Sequence, residues 1–127
     1  MAAEVRDHLA SGDDYYTPDR VRFWHERWDW LTSETSRWQE VRPARVSRAR
    51  WARFERLAER RADIERALIA LGELRPDRFY RRVVWARYVQ GLPVDHIARI
   101  LRTDTDTVDQ ACADGIRWMA TFLGWRG

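Results

Sequence analysis

A chain of 127 residues is long enough for one compact domain, or for two small helical units sharing a core, and too short for a typical multidomain enzyme. Its composition, 45% hydrophobic and 34% charged with 8 Trp, favours a folded globular chain over a disordered one. The lone Cys112 excludes an internal disulfide or a cysteine-cluster metal site and points to a reducing compartment. The opening residues lack a basic start followed by an apolar run, and no apolar run approaches the roughly 20 residues of a membrane span. A soluble cytoplasmic protein without membrane contact is therefore expected.

The net charge of +3 conceals an uneven distribution. Residues 1–41 carry 5 Arg against 9 acids, residues 42–87 carry 14 Arg against 6, and residues 94–127 carry 4 Arg against 5. If the chain holds nucleic acid, most phosphate contacts should come from the middle third. All 23 basic residues are arginine, as a GC-rich genome would give, and each can fork to phosphate or stack on a ring.

Residues 1–16 show no sustained period and read as a loosely attached arm with a short helix near Glu4–Ala10. Thr17, Pro18 and Asp19 form a helix start signal: an N-cap, a proline at the first helical position and an acid beside the positive end of the dipole. The helix is expected to run to Leu31 with Val21, Trp24, Trp28 and Leu31 on its buried stripe, and Thr32–Pro43 to be a connection anchored by Trp38. Ser47 caps a long helix to Leu71, with Trp51, Phe54, Leu57, Ala58, Ile64, Leu68 and Leu71 inward. Arg48, Arg50, Arg53, Arg56, Arg60 and Arg66 fall largely outside that stripe. Gly72 ends it, and Arg75-Pro76-Asp77 starts a helix reaching Gln90 before Gly91-Leu92-Pro93 breaks the chain. With no period-two alternation anywhere, the fold is expected to be all-α: a helical bundle whose support region, residues 17–74, joins residues 75–127 in one compact unit.

The most informative stretch is Tyr88–Val108. Val94–Leu101 reads as one helix, Arg102-Thr103 as a turn and Asp104 as the N-cap of a last helix, with small Ala98 between Ile97 and Leu101 where the two helices should nearly touch. The last helix carries an inward stripe of Val108, Cys112, Gly115, Ile116, Met119, Phe122 and Leu123. From Phe79 to Leu123 the pattern resembles the promoter-reading, region-four domain of sigma factors, and more closely the small phage and prophage regulators that carry such a helix-turn-helix. Arg102 stands where that family usually has glycine, and Asp104, Asp106, Asp109 and Asp114 stand where it usually carries cations.

The resemblance implies a non-catalytic regulator of transcription that binds double-stranded DNA and contacts RNA polymerase, working in the host cytoplasm if phage-encoded. Thr105, Asp106, Asp109 and Gln110 would read base edges: glutamine pairs with adenine, aspartate accepts from cytosine, and threonine meets a thymine methyl. Arg99, Arg102 and Arg117 would hold phosphates together with Arg81, Arg82 and Arg87 of the preceding helix, and Arg48, Arg50 and Arg53 of the long helix. The alternatives are a protein-interaction module docking polymerase or another host factor through the same hairpin, and a DNA-packaging adaptor. Oligomeric state is open.

No catalytic, metal or cofactor constellation stands out. Residues 104–108 (Asp-Thr-Asp-Thr-Val) match the acidic signature of haloacid-dehalogenase-like phosphatases but follow a helical segment rather than a strand, so N-capping by Asp104 is the better reading. His8, His25 and His96 are scattered and read as surface or half-buried. Cys112 reads as structural. Trp51, Trp85 and Trp118 lie on apolar stripes and read as core, whereas Trp30, Trp38 and Trp125 are candidates for a partner surface.

Overall fold

The computed structural model of the chain describes residues 15–39, 45–74 and 78–127. The expected helix near Glu4–Ala10, His8 and the Arg75-Pro76-Asp77 start signal lie outside the described residues. Among the described residues the fold is all-α, with helices α1 (Pro18–Glu26), α2 (Trp28–Gln39), α3 (Arg48–Leu71), α4 (Phe79–Val84), α5 (Val94–Ile100) and α6 (Thr105–Phe122). A turn of π-helix, Trp85–Val89, continues α4.

Thr17 caps α1 as its position predicts, its hydroxyl accepting from the Arg20 amide at 3.3 Å. The chain breaks at Arg27 and turns straight into α2, which corrects the expected stop at Leu31: the helix continues to Gln39 through the stretch read as a connection. The polar run Thr32–Ser36 has loop composition, but Leu31, Thr35 and Trp38 extend a buried stripe at helical spacing, and tertiary burial outweighs propensity. Thr35 meets its burial by donating to the Leu31 carbonyl at 2.9 Å. Trp38 anchors the segment, stacked on Phe54 of α3 at 5.9 Å between ring centroids.

Ser47 caps α3, which ends at Leu71 as expected. Arg60 does not fall outside its apolar stripe: it is 3% exposed. Its guanidinium lies 3.7 Å from the centre of the Tyr15 ring and donates to the Tyr16 hydroxyl, which donates in turn to Asp63 at 2.7 Å. A buried cation needs such company, here two π faces and a carboxylate one hydroxyl away. Tyr15 and Tyr16 are accordingly core residues rather than the end of an arm, and Trp24 Nε1 donates to the Tyr15 hydroxyl at 2.8 Å.

Two apolar clusters fill the interior. One gathers Tyr15, Trp24, Trp28 and Leu31 of the N-terminal segment with Leu57, Ile64, Leu68 and Leu71 of α3 and Val84, Ile116, Met119 and Ala120. The other gathers Val83, Ile97, Ala98, Val108, Ala111 and Cys112. Helix α6 belongs to both, its first half to the smaller and its second half to the larger. Adjacent Val83 and Val84 divide α4 the same way. The expected inward stripe of α6 holds except at Phe122, which is exposed and stacks on Trp118. Trp51, Trp85 and Trp118 are half-buried rather than core, and Trp38 is buried rather than a surface marker.

At Gly115, α6 packs tightly on α4: a methyl group there would lie 2.7 Å from Val84 Cγ2. Alanine raises intrinsic helix stability by about 1 kcal/mol over glycine, but the neighbour that must move is a fully buried, β-branched valine, stiff at χ1. Overpacking should win. Gly115→Ala is expected to lower stability by about 1–2 kcal/mol in denaturant unfolding.

His25 corrects its expected surface position, being fully buried, with Nε2 3.3 Å from Met119 Sδ and Nδ1 without a partner. Burial lowers its pKa from 6.5 to about 4. The unfolded chain therefore takes up a proton that the folded chain refuses, and this group's contribution is complete above pH 6.5 and lost as pH falls towards 4. Stability should fall by up to about 1.4 kcal/mol per pH unit within that window, and His25→Leu should flatten the slope in urea titrations at pH 5.0, 5.8 and 6.5.

Candidate nucleic-acid interface

Helices α5 and α6 meet at a four-residue turn with a defined hydrogen-bond pattern. The Arg102 amide donates to the Arg99 carbonyl at 3.3 Å and the Thr103 amide to the Ala98 carbonyl at 2.9 Å, the paired bonds of a Schellman ending. Arg102 supplies the left-handed residue, with φ 55°. Asp104 then caps α6, its Oδ1 accepting from the Thr107 amide at 2.7 Å; that bond, before any other influence, holds its carboxyl below the usual aspartate range. This capping role accounts for Asp104 without any phosphatase-like chemistry.

The facing of α6 matches the expectation from its spacing. Thr105, Asp106, Asp109, Gln110 and Ala113 are exposed, whereas Val108, Ala111 and Cys112 are buried against Val83, Ile97 and Ala98. Gln110 is already engaged: its amide donates to Asp114 Oδ1 at 2.9 Å, and Arg117 Nη1 lies 3.7 Å from the same oxygen. The i, i+4 and i, i+3 spacings make this chain of contacts readable from the sequence. Asp114 thus tempers Arg117 and competes for Gln110. An open groove of about 420 Å³ runs beside this face between α4 and α6, lined by Phe79, Tyr80, Asp106, Thr107, Gln110, Ala111 and Asp114. Sequence reasoning missed the aromatic wall, because Phe79 and Tyr80 read equally well as core.

The cations divide into two groups. Arg99 and Arg102 are exposed on the hairpin itself, and Arg117 is exposed about 1.7 turns beyond Ala111. In the preceding helix Arg82 is exposed, while Arg81 and Arg87 are half-buried with local roles: the Arg81 stem packs on Gly72, and Arg87 Nη1 reaches the Leu92 carbonyl at 3.5 Å. Arg48, Arg50 and Arg53 lie elsewhere. Leu71 abuts Gly115 and Arg66 lies over Phe122, so α3 and α6 run antiparallel with the start of α6 projecting past the end of α3. At 1.5 Å per residue, Arg50 and Asp106 are on the order of 40 Å apart. The structure does not bring the arginines of the long helix to the face of α6.

Burial pushes the Cys112 thiol up to about 11, the wrong direction for a nucleophile. His96 is exposed on α5, and no group of three His, Cys, Asp or Glu among the described residues could hold a metal ion. No described helix is long and apolar enough to cross a membrane. No protein-family model, curated protein or solved structure matches the chain.

A non-glycine residue in the left-handed region costs about 1 kcal/mol. Arg102→Gly should therefore stabilise the fold by about 0.5–1 kcal/mol, after allowance for the extra freedom of glycine in the unfolded chain, and raise Tm by a few degrees in calorimetry. An unchanged or lower Tm would mean that the Arg102 side chain repays its backbone strain.

Proposed function

We propose that this protein is a non-catalytic regulator that binds double-stranded DNA, with α5, its turn and α6 acting as a helix-turn-helix of the sigma region-four and phage-regulator kind. The observation that carries the reading is the division of α6 into a buried face on α5 and an exposed face of Thr105, Asp106, Asp109 and Gln110 immediately after a tight, capped turn. In the complex Gln110 leaves Asp114 to meet an adenine edge, and Asp106 and Asp109 accept from cytosine amino groups. Arg99, Arg102 and Arg117 bind phosphates on either side, with Arg82 on the flank.

The acidic face makes this a weak general binder and a selective one. Asp104, Asp106, Asp109 and Asp114, on or just before α6, oppose three phosphate-facing arginines, so only base pairs that donate to the carboxylates recover the cost. What the family resemblance adds is control of transcription through RNA polymerase.

A second reading has its own observation. Ile100 is 54% exposed and lines an apolar groove of about 210 Å³ with Trp85, Leu92 and Leu101, with Arg82 at its edge, a surface suited to an acidic, apolar segment of polymerase or a host factor. The two readings are compatible, since no residue of the groove is among Thr105, Asp106, Asp109 and Gln110.

Replacing Asp106 and Asp109 together by Asn tests the DNA reading. On a DNA-reading helix the change should alter the sequences recovered from a randomised duplex pool while nonspecific affinity in a mobility shift at 50 mM salt holds or rises. Arg99→Ala should weaken all duplexes alike and lower the log-log salt slope by about 0.9. An unaltered selection would remove α6 as a reading surface, and loss of polymerase capture on Ile100→Asp, with selection unchanged, would favour the apolar groove as the site of a protein partner.

A further inference from the structure

At the end of the molecule remote from α6, helices α2 and α3 enclose a groove of about 310 Å³ lined by Trp30, Glu34, Arg37, Trp38, Arg50, Arg53, Phe54 and Leu57. Its floor is the stacked pair Trp38 and Phe54, and its rim carries Trp30, 38% exposed although indole is among the costliest surfaces to leave in water. Among the described residues that line the groove, three guanidinium groups face one carboxylate. The Arg50 guanidinium lies 5.3 Å and that of Arg37 6.0 Å from the Trp38 ring centre, while Arg53 is steadied by Nε donating to the Ala49 carbonyl at 3.4 Å. Glu34 is occupied, accepting from Trp38 Nε1 at 3.0 Å with Arg37 3.9 Å away, so it orients the floor and leaves the described lining with a surplus of positive charge.

A flat aromatic wall among surplus arginines selects a ligand that is itself flat and anionic. Duplex DNA offers phosphates but keeps the faces of its bases stacked inside, and a purely apolar segment leaves the guanidinium groups without an anion. The volume is that of a small-ligand site rather than a polymer channel. We infer that the groove between α2 and α3 binds an unstacked nucleobase carrying phosphate, the base lying against Trp30 and the phosphate between Arg37, Arg50 and Arg53. The ligand is either a free nucleotide or the exposed base of a single strand.

Three probes test this on the full chain: a labelled six-nucleotide single strand, the same strand with abasic positions, and adenosine monophosphate, with inorganic phosphate and duplex as controls. The base-bearing strand should bind more tightly than the abasic one, and Trp30→Ala should weaken it at least about fivefold, the low end of stacking on one aromatic. The double change Arg37→Gln, Arg53→Gln should weaken base-bearing and abasic probes alike. Monophosphate competing at concentrations similar to the strand identifies a free nucleotide as ligand, and competition by the strand alone identifies single-stranded nucleic acid. Equal binding of abasic and base-bearing strands, or an unaffected Trp30→Ala variant, would overturn the inference. Because Trp30 is remote from α6, duplex binding is unchanged by Trp30→Ala, and failure of one reading leaves the other standing.

Discussion

The contact of Val84 with Gly115 is the constraint on which the rest of the arrangement depends. Only a residue without a side chain lets α4 approach α6 this closely, and that approach divides the stripe of α6 between two interiors. Beyond Gly115, Ile116, Met119 and Ala120 lock the helix into the tryptophan-rich core. Before it, Val108, Ala111 and Cys112 form the seat for α5. The hairpin is thereby mounted on a helix that is fixed at its far end, so the exposed positions Thr105–Gln110 stand on a rigid support. The π-turn at Trp85–Val89 serves the same geometry: it widens the helix until the Gln90 amide reaches the Trp85 carbonyl, and Gly91, at φ 68°, redirects the chain into α5.

Charge is distributed to match this division of labour. Arginines crowd the middle of the chain, but α3 uses them differently along its length: Arg60 is drawn into the core by Tyr15 and Tyr16, Arg61 and Arg66 pair with Glu65 and Asp63, and Arg50 and Arg53 border the Trp38 groove. The surplus of positive charge in residues 42–87 therefore says less about duplex binding than the linear sequence implies. Separations of tens of ångströms exceed the screening length of about 8 Å at physiological salt, so the two ends of the molecule are electrostatically independent. The carboxylates of α6 act only on what comes within contact distance of that helix.

Elements whose ends are set by local chemistry were legible in the sequence. Thr17, Ser47 and Asp104 cap helices by hydrogen bonds that need only residues three positions away, and Val108, Ala111 and Cys112 face inward because the period of α6 is uninterrupted. Features that depend on a distant partner were not. Nothing near His25 announces Met119 across 94 positions, and Arg60 looks like any surface arginine until Tyr16 arrives from 44 residues upstream. The polar run Thr32–Ser36 concealed a helix for the same reason, since its burial is granted by α3. At the candidate interface the outward positions were read correctly, while the Phe79 and Tyr80 wall and the distance of Arg48, Arg50 and Arg53 from α6 needed the packing of α3 against α6.

The account rests on α6 presenting its exposed face to duplex DNA while the start of α3 remains outside that contact. Backbone amide NMR of the full chain, titrated with a duplex selected from a random pool, tests both halves at once. Shift changes should concentrate on Arg99–Gln110, with Arg48–Phe54 unmoved. Changes confined to Arg48–Phe54, with Thr105–Gln110 silent, would contradict it.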